Sequence, residues 1–126
     1  MANFGRRSRQ KLATCHPDIQ KVLHEAIKHT DFSVIWGYRD QLHQNRAFEE
    51  GFSKVQWPNS RHNSTPSQAV DIVPYPGGFA NSDAAFYLLA TYVLRAAYEK
   101  GVSLTWGGHW RSFKDLAHYQ LKEKEE

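Results

Sequence analysis

The chain has 126 residues, 40% of them hydrophobic, with 16 Lys and Arg against 13 Asp and Glu and a single cysteine; this is enough for one domain with a core that needs no staples. Cys15 alone excludes an internal disulfide and a cysteine-based zinc site, no stretch approaches the roughly 18 to 20 apolar residues of a membrane span, and residues 1–11 lack the apolar run of a signal peptide. Four of the cations, Arg6, Arg7, Arg9 and Lys11, fall in those first eleven residues, so the remainder is close to neutral and lacks the basic face of a nucleic-acid binder.

The basic opening, residues 1–11, reads as a flexible, solvated start with a weak attraction to polyanions. Pro17 then opens a helix, because the missing proline N–H has no intrahelical partner in a first turn. Ile19, Val22, Leu23, Ala26 and Ile27 recur on its apolar face. Residues 32–36 read as a buried strand ended by Gly37. Asp40 caps a second helix carrying Leu42, Ala47 and Phe48 that stops near Gly51. Residues 57–66 form a loop by composition, with His62 inside it. Residues 69–73 are the next strand, closed by Pro74, Tyr75, Pro76, Gly77 and Gly78. Ser82 caps the clearest helix, with Phe86, Leu89, Ala90, Val93, Leu94 and Ala97 on one face and Gly101 as its stop. Residues 103–106 read as a strand, 107–115 as a loop, 117–121 as a final strand and 122–126 as a charged tail. Helices and short strands alternate without a regular βαβ repeat, which makes the class α+β and residues 1–126 a single domain.

Seven histidines raise the question of a metal. His24 and His29 lie on or at the end of the first helix, and His16 and His43 near helix starts, all with structural roles. His62, His109 and His118 lie in loop or strand-edge contexts near acids and glycines. Asp71 stands inside the apolar run Ala69-Val70-Asp71-Ile72-Val73, where a carboxylate is costly to bury unless compensated; a metal, an arginine or backbone donors would each serve. Asp115 precedes His118 by three positions at the mouth of a strand, which can aim both side chains into one cleft. Two histidines and an aspartate suit zinc with an open position for water. The pKa of that water falls to about 7, and Asp115 is the neighbouring carboxylate able to take its proton. Arg39, just past a strand in Gly37-Tyr38-Arg39, is the candidate for stabilising an oxyanion. Cys15 has no base partner, and the segment around Ser60 lacks the Gly-x-Ser-x-Gly elbow of a serine hydrolase. Trp36 and Trp57 read as core or edge residues.

Taken together, these residues resemble the zinc peptidases that group D-alanyl-D-alanine carboxypeptidases with phage L-alanyl-D-glutamate endopeptidases, on the fold shared with hedgehog domains. Ser60-Arg61-His62 followed by Ala69-Val70-Asp71-Ile72-Val73-Pro74 looks like the family's first two zinc ligands. Trp106-Gly107-Gly108, then Ser112-Phe113-Lys114-Asp115 and His118-Tyr119-Gln120-Leu121, looks like its general base and third ligand. Gly37-Tyr38-Arg39 with Gln44 and Phe48 resembles its substrate-side motif. His62 and Asp71 are nine positions apart, two more than in the commonest pattern, with Pro66 where a glycine is usual; His109 stands where an acid often follows the two glycines.

The resemblance implies a small antiparallel sheet flanked by helices and one Zn2+ ion held by His62, Asp71 and His118. Asp115 and Arg39 would be catalytic, and Gln44, Ser60, Trp106, His109 and Tyr119 would meet substrate. The implied activity is that of a phage-type endolysin cutting the L-alanyl-D-glutamate bond of the peptidoglycan stem peptide, as a monomer with no nucleic-acid partner and no stable membrane insertion. Such an enzyme would be made in the cytoplasm of the infected host and reach the wall after another protein permeabilises the membrane. Two rivals remain: a D-alanyl-D-alanine carboxypeptidase or dipeptidase, and a catalytically silent wall-binding domain on the same fold.

Overall fold

The computed structural model describes residues 2–122. Strands β1 (Phe32–Trp36), β2 (Ala69–Pro74), β3 (Leu104–Trp106) and β4 (His118–Leu121) form one antiparallel sheet in the order β1-β2-β4-β3. Helices α1 (Arg6–Leu12), α2 (Pro17–Ala26), α3 (Gln41–Glu49) and α4 (Asp83–Glu99) complete the α+β architecture expected from the sequence. The charged tail expected at 122–126 falls, beyond Lys122, outside the described residues.

Successive strand residues point to opposite faces of a sheet, and that alternation separates core from site. Val70 and Ile72 of β2, Phe32 and Val34 of β1 and Tyr119 of β4 pack with Val22 and Leu23 of α2 and Leu89 and Val93 of α4. Each such side chain, once buried, contributes about 1.5–3 kcal/mol. Asp71, His118 and Gln120 alternate with these residues and so belong to the other face. Phe86, Val73 and Ala117 form a smaller cluster beside it.

Helix starts follow the expected chemistry. Asp40 accepts the His43 N–H at the start of α3, and Ser82 accepts the Ala85 N–H at the start of α4. The α2 cap is His16, whose Nδ1 accepts the Asp18 N–H at 3.0 Å with Pro17 next in the chain. On α4 the buried row includes Ala96, while Leu94 is only half-buried.

The basic opening differs from its expectation as a flexible start. Most of it is helix α1, whose Ser8 and Leu12, four apart, are buried as one face of a docked helix requires, with Phe4 buried just ahead of the helix. The Ser8 Oγ accepts the Val34 N–H of edge strand β1 at 3.0 Å, and the Phe4 ring meets Phe32 edge-on at 5.3 Å. Covering an edge strand in this way removes an unpaired donor. Arg6, Arg7 and Arg9 lie on the exposed face.

Candidate metal centre

The β2–β4 register sets Asp71 directly opposite His118, and cross-strand partners bring their Cβ atoms to about 4.5–5.5 Å. His62 arrives from the 3-10 turn Arg61–Asn63. Ser60 caps that turn: its Oγ accepts the His62 N–H at 3.1 Å, and the Asn63 Oδ1 accepts the Ser60 N–H at 3.0 Å. The result is convergence on one atom, with His62 Nε2 at 3.2 Å and His118 Nδ1 at 3.1 Å from the same Asp71 Oδ1. The three ligand atoms lie within 4.8 Å of one another and all three residues are buried.

The remaining ring nitrogens decide what this convergence can hold. His62 Nδ1 is 2.8 Å from the Gly37 carbonyl and His118 Nε2 is 2.8 Å from Gln120 Oε1. Both oxygens can only accept, so these nitrogens carry the protons of the neutral rings. In that tautomer His62 Nε2 and His118 Nδ1 turn lone pairs toward a carboxylate oxygen, an arrangement that a proton on a ring or a bound cation relieves. Burial alone resists Asp71 ionisation, but the adjacent His62 and His118 hold its carboxyl well below the usual carboxylate range. For His118, burial favours the neutral ring, yet the hydrogen bond to Asp71 and its charge raise the pKa. A metal competes for the position that this proton would take. Two imidazoles oriented through their far nitrogens, plus a carboxylate, fit the donor set of an open zinc site.

Two glycines make the arrangement possible. A Cβ on Gly37 would stand 2.3 Å from Thr14 Oγ1 and 2.4 Å from the Lys11 carbonyl, so only glycine lets the chain pass the end of α1 and present its carbonyl to His62. A Cβ on Gly107 would stand 2.3 Å from the Asp115 carbonyl. That close passage brings Asp115 back to the site, its N–H on the Gly107 carbonyl at 3.2 Å and its Oδ1 accepting the Ala117 N–H at 3.3 Å. Burial, followed by the negative charge of Asp71, raises the Asp115 carboxyl above its ordinary pKa.

Asp115 and the His62, Asp71 and His118 set line one cavity of about 420 Å³, together with Ser60. Arg39 borders it too, but its guanidinium is committed: Nη2 bonds Asp71 Oδ2 and Nη1 bonds Gln44 Oε1, each at 3.0 Å. It therefore fixes the non-ligating oxygen of Asp71. Gln44, expected to meet substrate, is fully buried. It accepts from Arg39 and Asn63 and donates to Ser53 Oγ and the Val55 carbonyl, which makes it a clamp behind the site. Trp106 and Tyr119 are also displaced from their expected role: their rings stack at 6.4 Å in the core, where strand alternation puts Tyr119 opposite His118 and Gln120. His109 is exposed and lies edge-on to Trp106 at 4.9 Å, outside the cavity lining. Ser60 does line the cavity, with its hydroxyl held by the His62 backbone. Burial pushes the Cys15 thiol up to about 12, consistent with its lack of a nucleophilic role.

The sequence reading missed Trp110, whose ring is 5.1 Å from that of His118, and Gln120. For Gln120 a signal existed, since a residue two positions after a ligand on a strand shares its face. Gln120→Ala is expected to lower metal affinity about 10–100-fold by freeing the His118 ring, measured by chelator competition on folded protein. Unchanged affinity would remove Gln120 from this role.

Comparison with known proteins places the whole described chain. Residues 1–123 match the family model described as phage L-alanyl-D-glutamate peptidase. The L-alanyl-D-glutamate peptidase of Escherichia phage T5 is 29% identical over 123 residues, covering 94% of this chain and 88% of that protein. The crystal structure of the Serratia marcescens L-Ala D-Glu endopeptidase ChiX superposes with a TM-score of 0.81 at 33% identity, over 95% of this chain and 90% of that one.

Proposed function

The chain belongs to the phage L-alanyl-D-glutamate peptidase family, and on that premise we propose that it is a zinc-dependent endolysin hydrolysing the L-alanyl-D-glutamate bond of the peptidoglycan stem peptide. The observation that carries this reading is the buried convergence of His62, Asp71 and His118 with Asp115 on the same cavity. His62 Nε2, Asp71 Oδ1 and His118 Nδ1 would hold the zinc, which supplies Lewis acidity, lowering the pKa of water to about 7 and polarising a carbonyl.

The protein's own groups do the rest. Asp115 accepts a proton from the attacking water and returns it to the D-glutamyl nitrogen as the C–N bond breaks. A carboxyl whose pKa is raised suits both halves of that exchange. Arg39 holds Asp71 in place and sets a buried positive charge beside the cleft, where it favours the negative charge developing on the scissile oxygen. The enzyme acts as a monomer, made in the cytoplasm of the infected host and meeting the wall once another protein has permeabilised the membrane. Among the described residues no helix is long and apolar enough to cross a membrane.

The test is mass spectrometry of purified peptidoglycan digested by the zinc-loaded protein. New amino-terminal D-glutamate, with L-alanine left on the glycan, is the expected result. Release of D-alanine alone would make the enzyme a carboxypeptidase, and no cleavage of any wall would leave a binding domain.

A further inference from the structure

The face carrying the three ligand residues opens in two directions, and the two lobes differ in chemistry. The first, of about 420 Å³, is the more polar of the two, with Asn59, Ser60, Ser112, Gln120 and Trp110 among its lining residues. The second, of about 650 Å³, has apolar walls from Ile35, Trp36, Ala47 and Phe79 and carries Arg46 and Lys114. Arg39, Asp71, Asp115, Phe52 and Phe113 line both, so the reacting bond belongs at their junction. Phe113 holds φ at 49°, a left-handed conformation that costs a bulky residue strain and that clusters at ligand clamps.

The cations are not equivalent. In the polar lobe, Arg61 bonds Gln68 Oε1 and the Leu121 carbonyl, and Lys54 Nζ lies 5.3 Å from the Phe113 ring centre. Arg39, which borders both lobes, is held by Asp71 and Gln44, and in the apolar lobe His43 is held by Asp40 at 2.6 Å. Arg46 and Lys114 are exposed and have no acidic partner among the described residues, Lys114 Nζ reaching only the Gly108 carbonyl at 3.5 Å. Glu50 is the one acid of this lobe besides Asp71 and Asp115.

We propose that the apolar lobe receives the amine side of the scissile bond, with Arg46 and Lys114 reading the free carboxylate of the D-glutamyl residue, while the polar lobe receives the acyl, sugar-linked side. The inference rests on the L-alanyl-D-glutamate reading above. D-glutamate has two carboxyl groups separated by Cα and two methylenes; chain extension through one leaves the other anionic. Apolar walls with cations that no carboxylate neutralises match that residue, its methylenes against the walls and its free carboxylate toward the cations. The acyl side is neutral and leads to a hydroxyl-rich saccharide, which short amide and hydroxyl side chains around an indole suit.

The test uses two soluble stem peptides that differ only in whether this group is a carboxylate or a carboxamide. The wild-type enzyme is expected to prefer the carboxylate about tenfold in kcat/KM, through KM, as a partly exposed charge-assisted contact allows. Arg46→Gln and Lys114→Gln are each expected to bring the ratio toward one, with the loss falling on the carboxylate peptide. Arg46→Glu is expected to invert it, with circular dichroism checking the fold. Equal losses on both peptides, or cleavage of both with a ratio untouched in all three variants, would overturn this subsite alone. Failure of the wild-type enzyme to cleave either peptide would overturn the bond assignment and the subsite with it.

Discussion

Replacing His118 with alanine is expected to remove metal binding and hydrolysis together while keeping the fold. The strand that carries His118 is paired on both sides through its backbone, with β2 and with β3, so the sheet does not depend on the imidazole. The site does. Its loss leaves two protein ligands, His62 and Asp71, where an open catalytic zinc site uses three. Since removing a group that merely orients a ligand costs about 10–100-fold in affinity, removing the ligand itself should cost more than about 100-fold. The variant also deprives Asp71 of one of the two rings that hold its carboxyl low. Metal stoichiometry and peptide hydrolysis measured on the same preparation decide the matter. Full stoichiometry with wild-type activity would place the third ligand elsewhere.

The parts of this protein that were legible in its sequence are those fixed by local chemistry. β1 occupies the expected residues 32–36 because a run of apolar and β-branched residues is bounded by Gly37. α4 starts where Ser82 offers a cap, and Asp71 stands out as a carboxylate in an otherwise apolar strand that needs a partner, whereas the grouping of His62, Asp71 and His118 comes from the family resemblance. What was not legible depends on partners distant in sequence. The charge of Arg6, Arg7, Arg9 and Lys11 hides the burial of Phe4, Ser8 and Leu12, which only packing against β1 and the core explains. Gln44 looks like a substrate contact until Arg39, Asn63, Ser53 and Val55 are found around it. Trp106 and Tyr119 neighbour site residues in the chain, but the pleat turns them into the core. Arg39 shows the same limit more finely: the residue was identifiable, whereas its grip on Asp71 Oδ2 required the fold.

Asp115→Asn is expected to keep both fold and metal and to lower hydrolysis about 10²–10⁴-fold, the range for loss of a positioned proton-transfer group. The substitution is close to isosteric, and its amide oxygen still accepts the Ala117 N–H, so the change isolates proton transfer from positioning. The pH dependence carries the same argument. Burial first, and the charge of Asp71 second, raise the Asp115 pKa, against weaker opposition from His118, the Ala117 N–H and His62. A cation bound at Asp71 offsets the second cause and also attracts the Asp115 carboxylate, so it opposes the rise that burial produces. A general base works ionised, so activity is present above the Asp115 pKa and is lost as pH falls through it. Metal content followed at each pH separates this acid limb from loss of the ion itself. Asp115→Glu should retain some activity and the limb, because the base remains with altered reach. Were the asparagine variant to hydrolyse at the wild-type rate, Asp115 would be reduced to shaping the turn that leads into His118, whose N–H its carbonyl accepts at 3.2 Å, and the proton would have to travel through another group.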